Sequence, residues 1–121
     1  MKRDMDTIRK IAFATEALQP GQKLSRLDGV ELGAFNAHAL WMHQANLVQA
    51  RMYNDQSDAL TSAHIVRLTW EGCEFLDAVR SDTLWAKAKA AVLIPTASFT
   101  FGLLKDWLAQ QISNGLPTIG R

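Results

Sequence analysis

The spacing of apolar residues changes period twice along this chain, and the two changes constrain the fold more than any other feature. Over Asp4 to Leu18 and again from Leu32 towards Asn46 the apolar side chains recur every three to four residues, as on one face of a helix. From Leu47 to Trp70, β-branched and aromatic residues instead flank a polar interval, Asn54 to Asp58, which has the residue types of a turn. After Thr69 the helical spacing returns. A hairpin enclosed by helices is what this pattern predicts.

The boundaries follow from local chemistry. From Asp4 to Leu18 the residues Ile8, Ile11, Ala12, Ala14, Thr15 and Leu18 form one stripe, with Arg9, Lys10 and Glu16 off it, and Pro20 and Gly21 end the helix. Lys23 to Leu27 alternates polar and apolar residues and predicts a brief strand. Asp28 and Glu31 have the spacing of a capping box, opening a second helix with Leu32, Phe35, Ala39 and Met42 on one face. That helix runs to about Asn46, a residue suited to a left-handed C-cap. Leu47 to Tyr53 and His64 to Trp70 are the expected strands, and Thr69 is the expected cap of a helix reaching Arg80, with Gly72, Phe75, Leu76 and Val79 inward. Ser81 or Asp82 caps Thr83 to Ile94, which Pro95 stops, and a last helix covers about Ser98 to Ser113.

Helix, short strand, helix and two-stranded hairpin, in that order, is the arrangement of a winged helix. The expected class is α+β, mostly α: a winged helix-turn-helix domain over residues 1–95. Two extra C-terminal helices would follow the hairpin and its helix, with 96–121 packed on the same domain.

Two stretches carry a family resemblance. Met1-Lys2-Arg3-Asp4-Met5-Asp6-Thr7-Ile8-Arg9-Lys10 and Leu68-Thr69-Trp70-Glu71-Gly72-Cys73-Glu74-Phe75-Leu76-Asp77-Ala78-Val79-Arg80 resemble a family of small bacterial, phage and prophage proteins of unknown function. His38, Ala45, Leu47 and Val48 match its helix and the chain leaving it, and the resemblance spans roughly residues 1–95. It implies a winged-helix fold and frequent residence on mobile elements. It implies no activity, and hence no catalytic residues. Asn46 stands where the family tends to have Gly, and tolerates the same left-handed backbone.

Composition narrows the function. A chain of 121 residues that is 48% hydrophobic can bury a core without metal or disulfide support. The lone Cys73 cannot form an internal disulfide, the charged N-terminus does not suit a signal peptide, and the run Ala90 to Ile94 is far short of a membrane span. A cytoplasmic protein with no membrane contact is therefore expected. The net charge of +1 conceals an uneven distribution. Residues 1–26 hold six basic and three acidic groups, residues 27–80 three and seven, and residues 81–121 four and two, giving +3, −4 and +2.

Standard DNA recognition needs cations on the groove-facing helix and the wing, because phosphate neutralisation supplies most non-specific affinity. The segment Asp28 to Asn46 has no Lys or Arg, and the expected wing tip carries Asp55 and Asp58. Duplex binding would fall to Asn36, His38 and Gln44, with Arg51 and Arg67 on the hairpin. The basic residues Lys2, Arg3, Arg9, Lys10, Lys23 and Arg26 read instead as a solvated face and loop.

Aromatic and apolar residues favour a protein partner. Trp41 lies off the inward stripe of its helix and either presents apolar area to a partner or packs under the last two helices. Trp70, at the strand-to-helix junction, reads as structural. In the last helix Phe101, Leu104, Leu108 and Ile112 form one stripe. Phe99, Leu103 and Trp107 form a second, covered by the first helix or by a second subunit in a homodimer. The protein-binding candidates are thus Trp41, Asp55, Asp58, Phe99, Leu103 and Trp107. Catalysis, a metal and a cofactor are not expected. His38 and His43, five apart, fall on different sides of a helix, His38 reads as a partly buried structural residue, and no phosphate loop, nucleophile elbow or paired-cysteine motif occurs.

Overall fold

A computed structural model describes residues 1–93 and 101–113 of the chain. They are α+β and mostly helical: α1 (Met5–Glu16), α2 (Leu32–Gln44), β1 (Val48–Asn54), β2 (Leu60–Leu68), α3 (Trp70–Val79), α4 (Asp82–Ala88) and α5 (Phe101–Ser113). Two compact units divide the chain, Met1–Leu76 and Asp77–Arg121, with the boundary inside α3.

In the first unit, α1 begins where Asp4 accepts a hydrogen bond from the Asp6 N–H (3.0 Å), and it buries Met5, Ile8, Ile11, Ala12 and Thr15. Helix α2 starts later than the capping-box spacing predicts. Glu31 is itself the N-cap, accepting from the N–H groups of Gly33 (2.9 Å) and Ala34 (3.0 Å). Asp28 lies in the turn before it, where Gly29 takes a φ of 82°. As N-cap, the Glu31 carboxylate takes the second and third amides of the helix, which have no partner within it. At the other end Asn46 adopts a φ of 62°, the left-handed turn expected of it.

β1 and β2 pair antiparallel from Val48↔Leu68 to Asn54↔Leu60, with irregularities after Gln49 and after Tyr53. The second strand begins at Leu60, four residues before the predicted His64, because the tip closes more tightly than its polar composition suggests. Asp55 accepts from the Ser57 hydroxyl (2.7 Å) and from the N–H groups of Ser57 (2.8 Å) and Ala59 (3.0 Å), and Asp58 takes a φ of 64°. The predicted strand at Lys23–Leu27 reduces to one bridge, Leu24↔Ile65, with both backbone bonds formed (2.9 and 2.8 Å).

Helices α1 and α2 both pack on β2, and Phe35, Ala39, Met42, Val48, Ala63 and Ile65 are buried with the α1 stripe. Fully burying side chains of this size contributes roughly 1.5–3 kcal/mol each before the entropy of ordering them is counted. Residues 17–31 form turns and the Leu24 bridge but no helix, so α1 and α2 are not joined by the short turn of a helix-turn-helix pair.

Thr69 caps α3 as expected, accepting from the Gly72 N–H (3.0 Å) while its own hydroxyl donates to the Asn46 carbonyl. Gly72, Phe75, Leu76 and Val79 are all buried. In the second unit Ser81 caps α4 by accepting from the Leu84 N–H (3.1 Å), and α4 runs into a turn of π-helix, Lys89–Leu93. Leu84, Trp85, Ala88, Val92, Leu104 and Leu108 are buried there. No helix among the described residues is long and apolar enough to cross a membrane.

Candidate binding surfaces

The outward side of α2 is apolar. Gly33, Asn36, Ala37, Leu40 and Trp41, with Leu60 at the start of β2, line a cleft of about 300 Å³. Trp41 is half-buried, and its ring meets the His38 imidazole edge to face with centroids 5.1 Å apart. Leu32, one turn before Asn36, is 55% exposed. The helix therefore carries apolar residues on both faces, and only one of them is used by the core.

Two of the residues expected to read DNA are not available to do so. His38 is buried: its Nε2 accepts from the Asp4 N–H (2.9 Å) and its Nδ1–H donates to the Ala34 carbonyl (2.7 Å). The ring thus ties α2 to the N-terminus of α1, and both nitrogens are spent. Asn36 is 7% exposed, with its amide N–H directed at the Thr61 carbonyl (3.5 Å) and its Oδ1 buried without a partner. Two residues apart, these positions lie about 200° apart around the helix: Asn36 is turned towards Thr61 on the hairpin and His38 towards the start of α1. Gln44 is exposed at the end of α2. Arg51 and Arg67 are exposed on the hairpin, whereas His38 and Asn36 are buried.

Among the protein-binding candidates, Asp55 is exposed, yet its carboxylate organises its own loop. The Ser57 hydroxyl first, then the Ser57 and Ala59 N–H groups, hold its carboxyl below the usual aspartate value. Asp58 is exposed at the same tip. On α5, Leu104 and Leu108 are buried, whereas Leu103 is 47% exposed and Trp107 is half-buried, so the two stripes are inequivalent in the way their spacing suggests. Phe99 lies outside the described residues.

Trp70 corrects an expectation. It is 78% exposed, its indole N–H donating to Glu74 Oε1 (3.1 Å) one turn along α3. Its junction position suggested a packed residue, but the helix begins at Trp70 itself and its inward face starts at Gly72.

A second hollow, of about 500 Å³, is lined by the end of α1 and the following loop, by Val66, Arg67 and Leu68, and by Cys73. Cys73 is a free, exposed thiol. Among the described residues no three His, Cys, Asp or Glu side chains gather into a metal-binding group.

Comparison with known proteins gives a family without an assigned activity. A protein of Haemophilus influenzae described only as "Uncharacterized protein" is 28% identical over 115 residues, covering 93% of this chain and 95% of that one. No solved structure matches. The model of the family described as "Hypothetical protein (DUF2513)" matches residues 2–98, which include the whole hairpin, α2 and its cleft, and the chain belongs to that family.

Proposed function

We propose that this chain is a non-enzymatic binding protein with a winged-helix-like first unit, acting through protein–protein contacts that α2 presents. The observation that carries this reading is the apolar outward side of α2. Ala37, Leu40, Trp41 and Leu60 surround a cleft on a helix that holds no Lys or Arg, at the position where a DNA-reading helix would need them. Tryptophan at the edge of such a cleft is the residue type most often dominant in protein interfaces. The order of α1, the Leu24 bridge, α2 and the hairpin supports the winged-helix comparison, with loop 17–31 in place of a helix before α2. Together with the resemblance to small phage and prophage proteins, it supports a regulatory or anti-host role for a protein of mobile-element origin.

Co-purification of the tagged full chain from its native host, with and without nuclease, tests the reading. A protein partner that survives nuclease and is lost on Trp41→Ala, with the circular-dichroism spectrum unchanged, is the expected result. Retention of that partner by the folded Trp41→Ala variant, or its loss on nuclease treatment, would rule out α2 as the contact surface.

A further inference from the structure

The two hairpin arginines come together on a surface different from the one presented by α2. Ladder register assigns Val48, Ala50 and Met52 of β1 and Ala63, Ile65 and Leu68 of β2 to the core side. The alternate positions, Gln49, Arg51 and Tyr53 on β1 and Ser62, His64 and Arg67 on β2, therefore share the solvent side. Arg51 pairs directly with His64, Gln49 with Arg67, and Tyr53 with Ser62. At the neighbouring edge the Leu24↔Ile65 bridge brings Ser25 opposite His64, and Ser25 Oγ and His64 Nδ1 share a hydrogen bond of 2.5 Å. This bond and the Tyr53 ring, edge to face with the imidazole at 5.5 Å, hold His64 in place. Tyr53 itself is 50% exposed.

This side of the hairpin thus has two exposed arginines, a fixed imidazole, a half-exposed phenol and an amide, and none of its six register positions is acidic. Lys23, exposed, stands one residue before the bridge. The nearby carboxylates lie at its margins: Asp55 and Asp58 at the tip, and Glu16 across the hollow that Arg67 also lines. In a chain whose residues 27–80 sum to −4, this is a local reversal of sign.

We propose that the solvent face of the hairpin binds single-stranded nucleic acid, with Arg51 and Arg67 on successive phosphates and Tyr53 stacking on a base. The pairing of cations with an exposed aromatic ring selects this partner. Phosphates answer the arginines, and an unpaired strand offers the ring a base face that a duplex keeps inside its stack. The surface is separate from the α2 cleft, so it stands whether or not that cleft takes a protein.

The test is fluorescence anisotropy of the full chain with labelled oligodeoxythymidine and oligouridine of about 12 nucleotides, within the site sizes of single-strand binders. The matching duplex is run beside them across a salt series. Binding of a single strand in preference to the duplex is expected; whichever oligonucleotide binds more tightly identifies DNA or RNA as the source. Arg51→Gln with Arg67→Gln should make the slope of log affinity against log salt shallower by about 1.4, as for two lost phosphate contacts. Tyr53→Ala should weaken binding about tenfold, as for one lost stacked base. Both variants change exposed side chains, and Tyr53→Leu repeats the second test with the strand propensity better kept. No binding at low salt, equal binding to duplex, or loss on Lys2→Gln with Arg3→Gln while the arginine variant binds normally would each overturn the proposal.

Discussion

The backbone carbonyl oxygen of Leu47 lies 2.0 Å from where a Cβ on Gly72 would stand. Helix α3 therefore rests directly on the chain leaving α2, and the contact is closed by the Thr69 N–H donating to that same carbonyl (3.0 Å). Leu47 C at 3.0 Å and Leu68 Cδ2 at 3.2 Å complete the enclosure, so backbone as well as side chain would have to move. Glycine is used here for close approach.

Gly72→Ala is accordingly expected to destabilise the protein by about 3 kcal/mol, the upper end of the range for overpacking, although alanine is the better helix former. Urea denaturation followed by circular dichroism measures it. Glu71→Ala, on the exposed side of the same turn, is the control and should cost about 1 kcal/mol or less. Equal costs would mean that α3 can lift away from Leu47.

His38→Ala should cost about 2–3 kcal/mol, because it strands the Asp4 N–H next to a void and unties α2 from the start of α1. His38→Phe keeps the volume but not the bonds, so it should recover only part of the loss. Hydrogen exchange at Asp6 to Ile8 should quicken in both variants if the bond holds the first turn of α1.

The two stripes of α5 should separate in a mutational comparison. Leu104→Ala removes a side chain with 0% exposure and should cost about 2–5 kcal/mol, whereas Leu103→Ala, at 47% exposure, should cost about 1 kcal/mol or less. Thermal denaturation of the two variants at matched concentrations checks this. A large loss for Leu103→Ala that shrinks on concentration would instead mark its stripe as a subunit contact.

Acid should loosen the start of α2. The N–H of Gly33 and then that of Ala34 hold the Glu31 carboxyl below its ordinary value of 4.5. A carboxyl with a lowered value in the folded state binds fewer protons than in the unfolded chain. Its contribution is therefore complete above the unfolded value and is lost as pH falls through the folded one. Glu31→Gln should lower stability at neutral pH and flatten the pH dependence below about 4.5, as read by denaturation midpoints across an acid series. An unchanged acid limb would exclude the cap as its source.

Part of the candidate site was legible in the residues and part was not. The missing cations of α2 and the off-stripe position of Trp41 could be read directly, and both hold in the folded chain, where Trp41 is half-buried beside a cleft. So could His38 as a buried structural residue, which its 2% exposure matches; the placements of Asn36 and Trp70 could not. Polarity suggested an outward side chain for Asn36, which is 7% exposed, and the junction position suggested packing for Trp70, which is 78% exposed and bonded to Glu74 of its own helix. Phenol, imidazole and arginines on one side of the hairpin were equally hidden, since a residue's face depends on strand register and on the irregularity after Gln49.

The sequence by itself determined the local elements: the cap at Thr69, a cap at Ser81 or Asp82, the left-handed Asn46, the two changes of apolar period and hence the order of helices and hairpin. These are short-range effects, settled by dihedral preferences and by hydrogen bonds within a few residues. Only the tertiary structure decided that Glu31 caps α2, that Leu24 joins the sheet by one bridge, and that Gly72 meets Leu47. It also decided which polar side chains are buried and which face each hairpin residue occupies. Those outcomes depend on contacts between residues distant in the chain, whose free energies appear only when the elements pack and which no window of neighbouring residues contains.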